Sequence, residues 1–433
     1  GTGGAGFQAT GSAATFTAGA VTIANGAAAG GGISLTGNTG SFSFDGGLAI
    51  TTSSGTGFTA SGGGTIGIGT TGTRQITTTT GQILNLSDVS IAAGGIAFDS
   101  LTSTGIVPAD AVALTDVGGP GAFSGGTVSI IGTSGAGSDG IEITTSPANI
   151  SFTSAAIAGT SDNGILLSGA NGTVTFDTVT IDGAGGAGIL VSGATGAVTF
   201  NGGTIGATTV NAGPGVLIED TVAGAEVTFR FLDVTANGAD AYTLEDNAGL
   251  VTAMLGTATQ TGAGDGLEIN GGSGEVCFGS DIVHSGTGAG DRAVRILGTS
   301  GDIQVCGSQV TKTNGGLAVE IGNVTAGSIS FDTAVDANTG AGGILIANNT
   351  GGSTTFLQAV TLSTGAEDAV TLTNNIGHAV SFDGGLDITT TSGTGFTASG
   401  GGEIGLAASG TRQITTTTGQ IISLDGVSVA TGG

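Results

Sequence analysis

A four-residue pattern, small–apolar–x–apolar, returns every 24 to 27 residues through most of this chain. It reads Gly140-Ile141-Glu142-Ile143, Gly164-Ile165-Leu166-Leu167 and Gly188-Ile189-Leu190-Val191, and runs on through Gly215-Val216-Leu217-Ile218 to Gly343-Ile344-Leu345-Ile346 and Gly395-Phe396-Thr397-Ala398. Some ten residues after each start, a second segment of Val-x-Phe type ends on Phe152, Phe176, Phe200, Phe229, Met254, Phe278, Val305, Phe331, Phe356 or Phe382. Met254 is expected to fill the gap in that phenylalanine column. A third short segment, such as Val179-Thr180-Ile181, follows a corner. Period-two alternation bounded by Gly, Asn, Asp, Ser and Thr predicts three short strands per repeat. A unit this small cannot close a core alone and becomes stable by stacking on its neighbours. The expected fold is all-β, a parallel β-helix (β-solenoid) with turns of about 25 residues, about 17 turns in all and a right-handed coil.

A longer period lies over the short one. Residues 43–95 return as 381–433, 338 residues later, with 40 of 53 positions identical and no gap. Substitutions such as Ile68 for Leu406 and Ile91 for Val429 are mild. The two segments are therefore equivalent parts of a 338-residue repeat, and residues 1–433 are expected to form one continuous solenoid belonging to a larger repetitive protein. At about 4.8 Å per turn the chain would make a rod of roughly 80 Å, and one long repeat would advance about 65 Å.

Composition agrees with this fold and excludes others. Glycine supplies 91 of 433 residues but lacks the every-third spacing of collagen. An apolar share of 38% argues for a buried core. The chain carries 32 acidic against six basic residues, a net charge of −26. That balance opposes nucleic acid and anionic lipid, which require clustered Lys and Arg. No apolar run reaches the roughly 18 residues of a membrane span, so no insertion is expected from this segment.

The Gly-Ile-x-Leu/Ile and Thr-Val-Thr-Phe rungs, from about residue 120 onward, resemble the pectin-lyase-like β-helix superfold, and within it the very large repetitive surface proteins and adhesins of bacteria. Residues 43–95 join through their match to 381–433, and Gly32-Ile33-Ser34-Leu35 looks like one more rung. The resemblance implies an extracellular or cell-surface location. It also raises catalysis, because the superfold hosts polysaccharide lyases, with an Arg or Lys base and carboxylate-bound calcium, and hydrolases with clustered Asp. Arg295, with Glu268 and Glu320 beside it, comes nearest to such a cluster. Hydrolase-type Asn-Thr-Asp, Asp-Asp and Gly-His-Gly segments are absent, and His284 and His378 lie 94 residues apart, too far to share a metal. No nucleophile–base constellation can be assembled, so no catalytic residue is expected.

Other candidate sites follow from the alignment of turns. The outward position of the first strand should form a surface column through Glu142, Leu166, Leu190, Leu217, Thr243, Glu268, Arg295, Glu320, Leu345, Thr371 and Thr397. Leu166, Leu190 and Leu217 would then make an exposed apolar contact stripe, and Glu268, Arg295 and Glu320 a charge ladder worth about 0–1 kcal/mol per exposed pair. Gly135-Ala136-Gly137-Ser138-Asp139-Gly140-Ile141 matches the core of a calcium nonapeptide but lacks tandem copies. Asp139, Glu219 and Asp220 are thus weak calcium candidates, and no other cofactor is expected. Cys277 aligns with Gln304, two positions before Cys306, which makes the two cysteines a candidate disulfide strained by that offset.

The leading expectation is a structural, non-catalytic rod or fibre segment whose partners are further copies of itself, end-to-end or side-by-side. The alternative is an adhesin that binds glycans or another cell. It is the weaker reading, because the phenylalanines are expected to point inward and Trp is absent. A polysaccharide lyase or hydrolase comes third.

Overall fold

The computed structural model describes residues 4–26, 30–169, 171–338, 340–406 and 410–431. Among the described residues there are 48 strands and no helix. Strands pair in parallel with the corresponding strand of the next turn: Ile141–Thr144 with Ile165–Ser168, and Ile165–Ser168 with Ile189–Ser192. This is the parallel β-solenoid the periodicity predicts, with about 16 turns where about 17 were expected. The chain forms two compact units, Gly1–Gly213 and Pro214–Gly433.

In the first unit the inward column of the first strand runs Ile141, Ile165, Ile189, and the outward column Glu142, Leu166, Leu190. The second strand aligns Phe152, Phe176 and Phe200, whose rings stack with nearly parallel planes and centroids 4.8 and 5.0 Å apart. In the second unit Phe331, Phe356 and Phe382 stack likewise, at 4.8 and 5.0 Å. Identical side chains meet because parallel, in-register turns place each residue over its equivalent, and offset stacking satisfies the ring quadrupoles.

The corner after the first strand has one requirement in turn after turn, a left-handed residue. Asp88, Asp116 and Thr145 supply it in the first unit, and Asp220, Asp246, Asn348 and Asn374 in the second, all with φ between 48° and 61°. Asn and Asp tolerate this region; a β-branched residue does so only at a cost. Just beyond the corner a buried polar residue ties one turn to the next. Asn171 Oδ1 accepts the Ser146 N–H at 2.8 Å, Asn349 Oδ1 accepts the Val324 N–H at 2.7 Å, and Asn349 Nδ2 donates to Asn375 Oδ1 at 2.8 Å. Corner amides buried from water are thereby satisfied.

One inward assignment differs from the sequence reading. Phe229 and Phe278 both face Ala253, and Met254 points outward at 52% exposure. The small Ala253 does not leave a void. Tyr242, on the first strand of the same turn, is 1% exposed and sets its ring edge-on to Phe229 at 6.1 Å and to Phe278 at 5.0 Å. The bulk missing from the second strand is supplied by the first, as close packing requires.

The duplicated segments fold alike. Phe44 and Phe58 meet at 6.1 Å and 81°, and their equivalents Phe382 and Phe396 at 6.2 Å and 73°. Leu48 is in register with Arg74 as Leu386 is with Arg412. Residues 407–409, 432 and 433 of the second copy lie outside the described residues.

Candidate functional site

The first-strand sheet carries the same acidic arrangement once in each unit. In the first unit, Asp139 lies at the corner ahead of the strand Ile141–Thr144, and its N–H donates to Asp110 Oδ1 on the preceding turn at 2.8 Å. Glu142, three residues on, is hydrogen-bonded to Asp110. In the second unit, the Asp265 N–H donates to Asp240 Oδ1 at 2.6 Å, and Glu268 is hydrogen-bonded to Asp240. In the second unit two corner carboxyls on adjacent turns thus converge with one strand carboxyl; in the first, Asp110 links the Asp139 backbone to Glu142.

Such crowding shifts their protonation. Burial, with the neighbouring Asp240, pushes Asp265 up to about 7. Burial and the hydrogen bond its protonated carboxyl donates to Asp240 push Glu268 up to about 7. Asp139 also rises to about 7 through burial, although hydrogen bonds from Asn163 oppose the shift, and burial raises Glu142. Near neutral pH Asp139, Asp265 and Glu268 therefore carry a proton part of the time.

The two triads differ in their counter-charge. Arg295 Nη1 reaches Glu268 Oε1 at 3.0 Å and Asp265 Oδ2 at 3.9 Å, and its Nε lies 3.8 Å from Glu320 Oε2. Arg292 Nε donates to the same Glu320 oxygen at 2.5 Å, and the Arg292 N–H donates to Asp265 Oδ1 at 2.7 Å. The predicted ladder of Glu268, Arg295 and Glu320 is in register, but it is a half-buried network of six charged residues rather than an exposed row. Among the described residues no arginine or lysine forms an ion pair with the first triad.

Asp240, Asp265 and Glu268 are also the set, among the described residues, whose ligand oxygens fall within 4.8 Å of one another. An all-oxygen donor set suits a hard cation. Three of its oxygens already accept hydrogen bonds: Asp240 Oδ2 from Thr243 Oγ1 at 2.9 Å, and Asp240 Oδ1 and Asp265 Oδ1 from backbone N–H groups. Of the calcium candidates, Asp139 Oδ1 accepts both Asn163 N at 2.8 Å and Asn163 Nδ2 at 3.1 Å, so it serves as a rung between turns. Glu219 faces Glu245 across the sheet, and Asp220 occupies a left-handed corner.

The outward column has the predicted register, but its members are not uniformly exposed. Leu166, Leu190 and Leu217 are half-buried and Thr243 is 4% exposed. In a parallel stack each outward side chain is flanked by those of the turns above and below, which removes much of its surface. The strongly exposed apolar side chains of the second unit lie elsewhere. Phe231 is 60% exposed and Leu255, its partner in register, 53%, with Met254 beside it. Phe231 therefore departs from the expectation that the phenylalanines point inward.

Cys277 is in register with Gln304, as the alignment predicts, and its Sγ lies 3.9 Å from Cys306 Sγ. Both are free, half-buried thiols. His284 and His378 are separate and buried. The His284 Nε2 pairs with the Gly264 carbonyl at 2.7 Å, and His378 lies between the Gly351 carbonyl at 2.7 Å and Thr354 Oγ1 at 3.0 Å.

The sequence reading treated Asp139 and Glu268 separately and missed Asp110, Asp240 and Asp265. A signal was there: Asp139-Gly140-Ile141-Glu142 and Asp265-Gly266-Leu267-Glu268 share one pattern, each preceded one turn earlier by Asp-Ala, at Asp110-Ala111 and Asp240-Ala241. No protein-family model, curated protein or solved structure matches this chain.

Proposed function

We propose that this chain is a structural, non-catalytic segment of a large repetitive extracellular or cell-surface protein, serving as stalk, spacer or filament. The observation that carries this reading is the duplicated segment. Its two copies keep the same register and ring geometry. What the two copies share is a stackable length of turns. Ladders of Phe and Asn make each turn a template for the next, the property a protein extended by duplication needs. The net charge of −26 favours solubility of such repeats, and no helix is long and apolar enough to cross a membrane.

The partners proposed are further copies of the same chain, end-to-end or side-by-side. Electron microscopy of the intact parent protein tests this. Continuous fibres with an axial repeat near about 65 Å support it, and dispersed short particles at high concentration count against it.

A second reading, an adhesin recognising glycans or another cell, draws on the exposed Phe231 beside Met254 and Leu255. An exposed ring is what stacking on a sugar face requires. Retention on immobilised glycans that is lost in Phe231→Ser would favour it.

A further inference from the structure

We propose that Cys277 and Cys306 are a redox-closed clamp, joining two neighbouring turns of the second unit through an intrachain disulfide when the protein meets a small-molecule disulfide oxidant. This inference does not depend on the rod reading.

The argument rests on how the sheet presents the two thiols. Cys277 is the central residue of the strand Val276–Phe278, whose flanking residues are buried, so its side chain faces outward. Cys306 immediately follows the next turn's strand Ile303–Val305. On a straight ladder its two-residue offset from Cys277 would exceed disulfide reach. The corner removes that objection. The Cys306 N–H donates to the Phe278 carbonyl at 2.8 Å, holding its backbone against the earlier strand, and the sulfurs come to 3.9 Å. A shift of about 2 Å by side-chain rotation completes the bond. Both thiols are half-buried, within reach of a small oxidant.

The chemistry balances by thiol–disulfide exchange. A thiolate from one cysteine attacks a sulfur of oxidised glutathione, forming a mixed disulfide and releasing one glutathione thiolate. The second cysteine, as thiolate, attacks the protein sulfur of that mixed disulfide and expels the second glutathione. Two protein thiols lose two electrons and two protons, and one glutathione disulfide becomes two thiols. Burial and the adjacent Cys277 push the Cys306 thiol up to about 11, so closure should accelerate as pH rises. The clamp spans 29 residues, about one turn, and adds a covalent tie against separation of neighbouring turns.

The test uses the whole chain with oxidised glutathione. The expected result is a monomer lighter by about 2 Da, with both thiols unreactive under denaturing conditions and a peptide linking residues 277 and 306. The oxidised form should unfold at a temperature a few degrees above the reduced form. Cys277→Ser and Cys306→Ser should each retain the β-sheet spectrum and lose both the cross-link and that shift. Stable mixed disulfides at either cysteine, persistence of both thiols, or cross-links only between chains would each overturn the proposal.

Discussion

Tyr242 and Phe278 sit edge to face, ring centroids 5.0 Å apart, in the space that Ala253 leaves between Phe229 and Phe278. One turn has exchanged the position of its large residue between two strands while keeping its volume. Ala253→Phe alone should then overpack the turn and cost about 1–3 kcal/mol. Tyr242→Val alone should leave a cavity and cost about 2–4 kcal/mol. Combined, they restore the arrangement of the neighbouring turns, and the double variant should be more stable than either single one. Additive losses in urea denaturation would show that the two sites do not share a space.

The raised carboxyls make stability depend on pH in a defined direction. Asp139, Asp265 and Glu268 each stand near 7 in the folded chain, above their ordinary 3.8 or 4.5. Their protonated forms are favoured by folding, so the stability they contribute is full below about pH 4 and is lost as pH rises through 7. Burial lowers Lys312 to about 8 from 10.5, so its contribution returns only between those values as pH rises further. Urea midpoints should fall from pH 4.5 to 7.5 and pass through a minimum between about 7 and 8. Asp139→Asn keeps an acceptor for Asn163 and removes the charge. It should stabilise the first unit at pH 7.5 on the order of 1 kcal/mol and flatten the acid limb; a loss of stability at that pH would be the wrong sign.

Thr145 holds φ at 49°, a corner that Asp or Asn fills at Asp116, Asp246 and Asn348. Its side chain gains nothing there that Asn would lose. Thr145→Asn should raise stability by about 1 kcal/mol, read as a higher thermal midpoint, whereas Asn348→Thr should lower it by a similar amount.

Leu86, an inward residue of the duplicated segment, is 1% exposed. Leu86 lies under Leu114 of the following turn. Burying a carboxylate there should cost more than about 4 kcal/mol, so Leu86→Asp should unfold part of the first unit. An unchanged circular dichroism melt for Leu86→Asp would contradict this.

Much of the solenoid was legible because its information is periodic. Ile141, Ile165 and Ile189 recur at the turn length, and in-register stacking converts that recurrence directly into columns, so even the Cys277–Gln304 register could be read. The placement failed where a strand held two adjacent apolar residues. Ala253 and Met254 were both eligible, and the larger was assigned inward, although the alternation from Val251 favours Ala253. Tyr242, on another strand, decided the matter. The acidic triads were hidden for a related reason: Asp110 and Asp139 are 29 residues apart, and only the corner that joins them to Glu142 makes them one group.

The sequence by itself determined the stacking: strand count per turn, parallel register, the phenylalanine ladders and the recurrence of the long segment. These follow from local periodicity, which each turn repeats and its neighbours enforce. Tertiary structure alone decided how far each outward residue is exposed, which carboxyls burial pushes up and how closely the two sulfurs approach. Those properties depend on distances between side chains of different turns and on the water excluded around them, and no spacing along the chain encodes either.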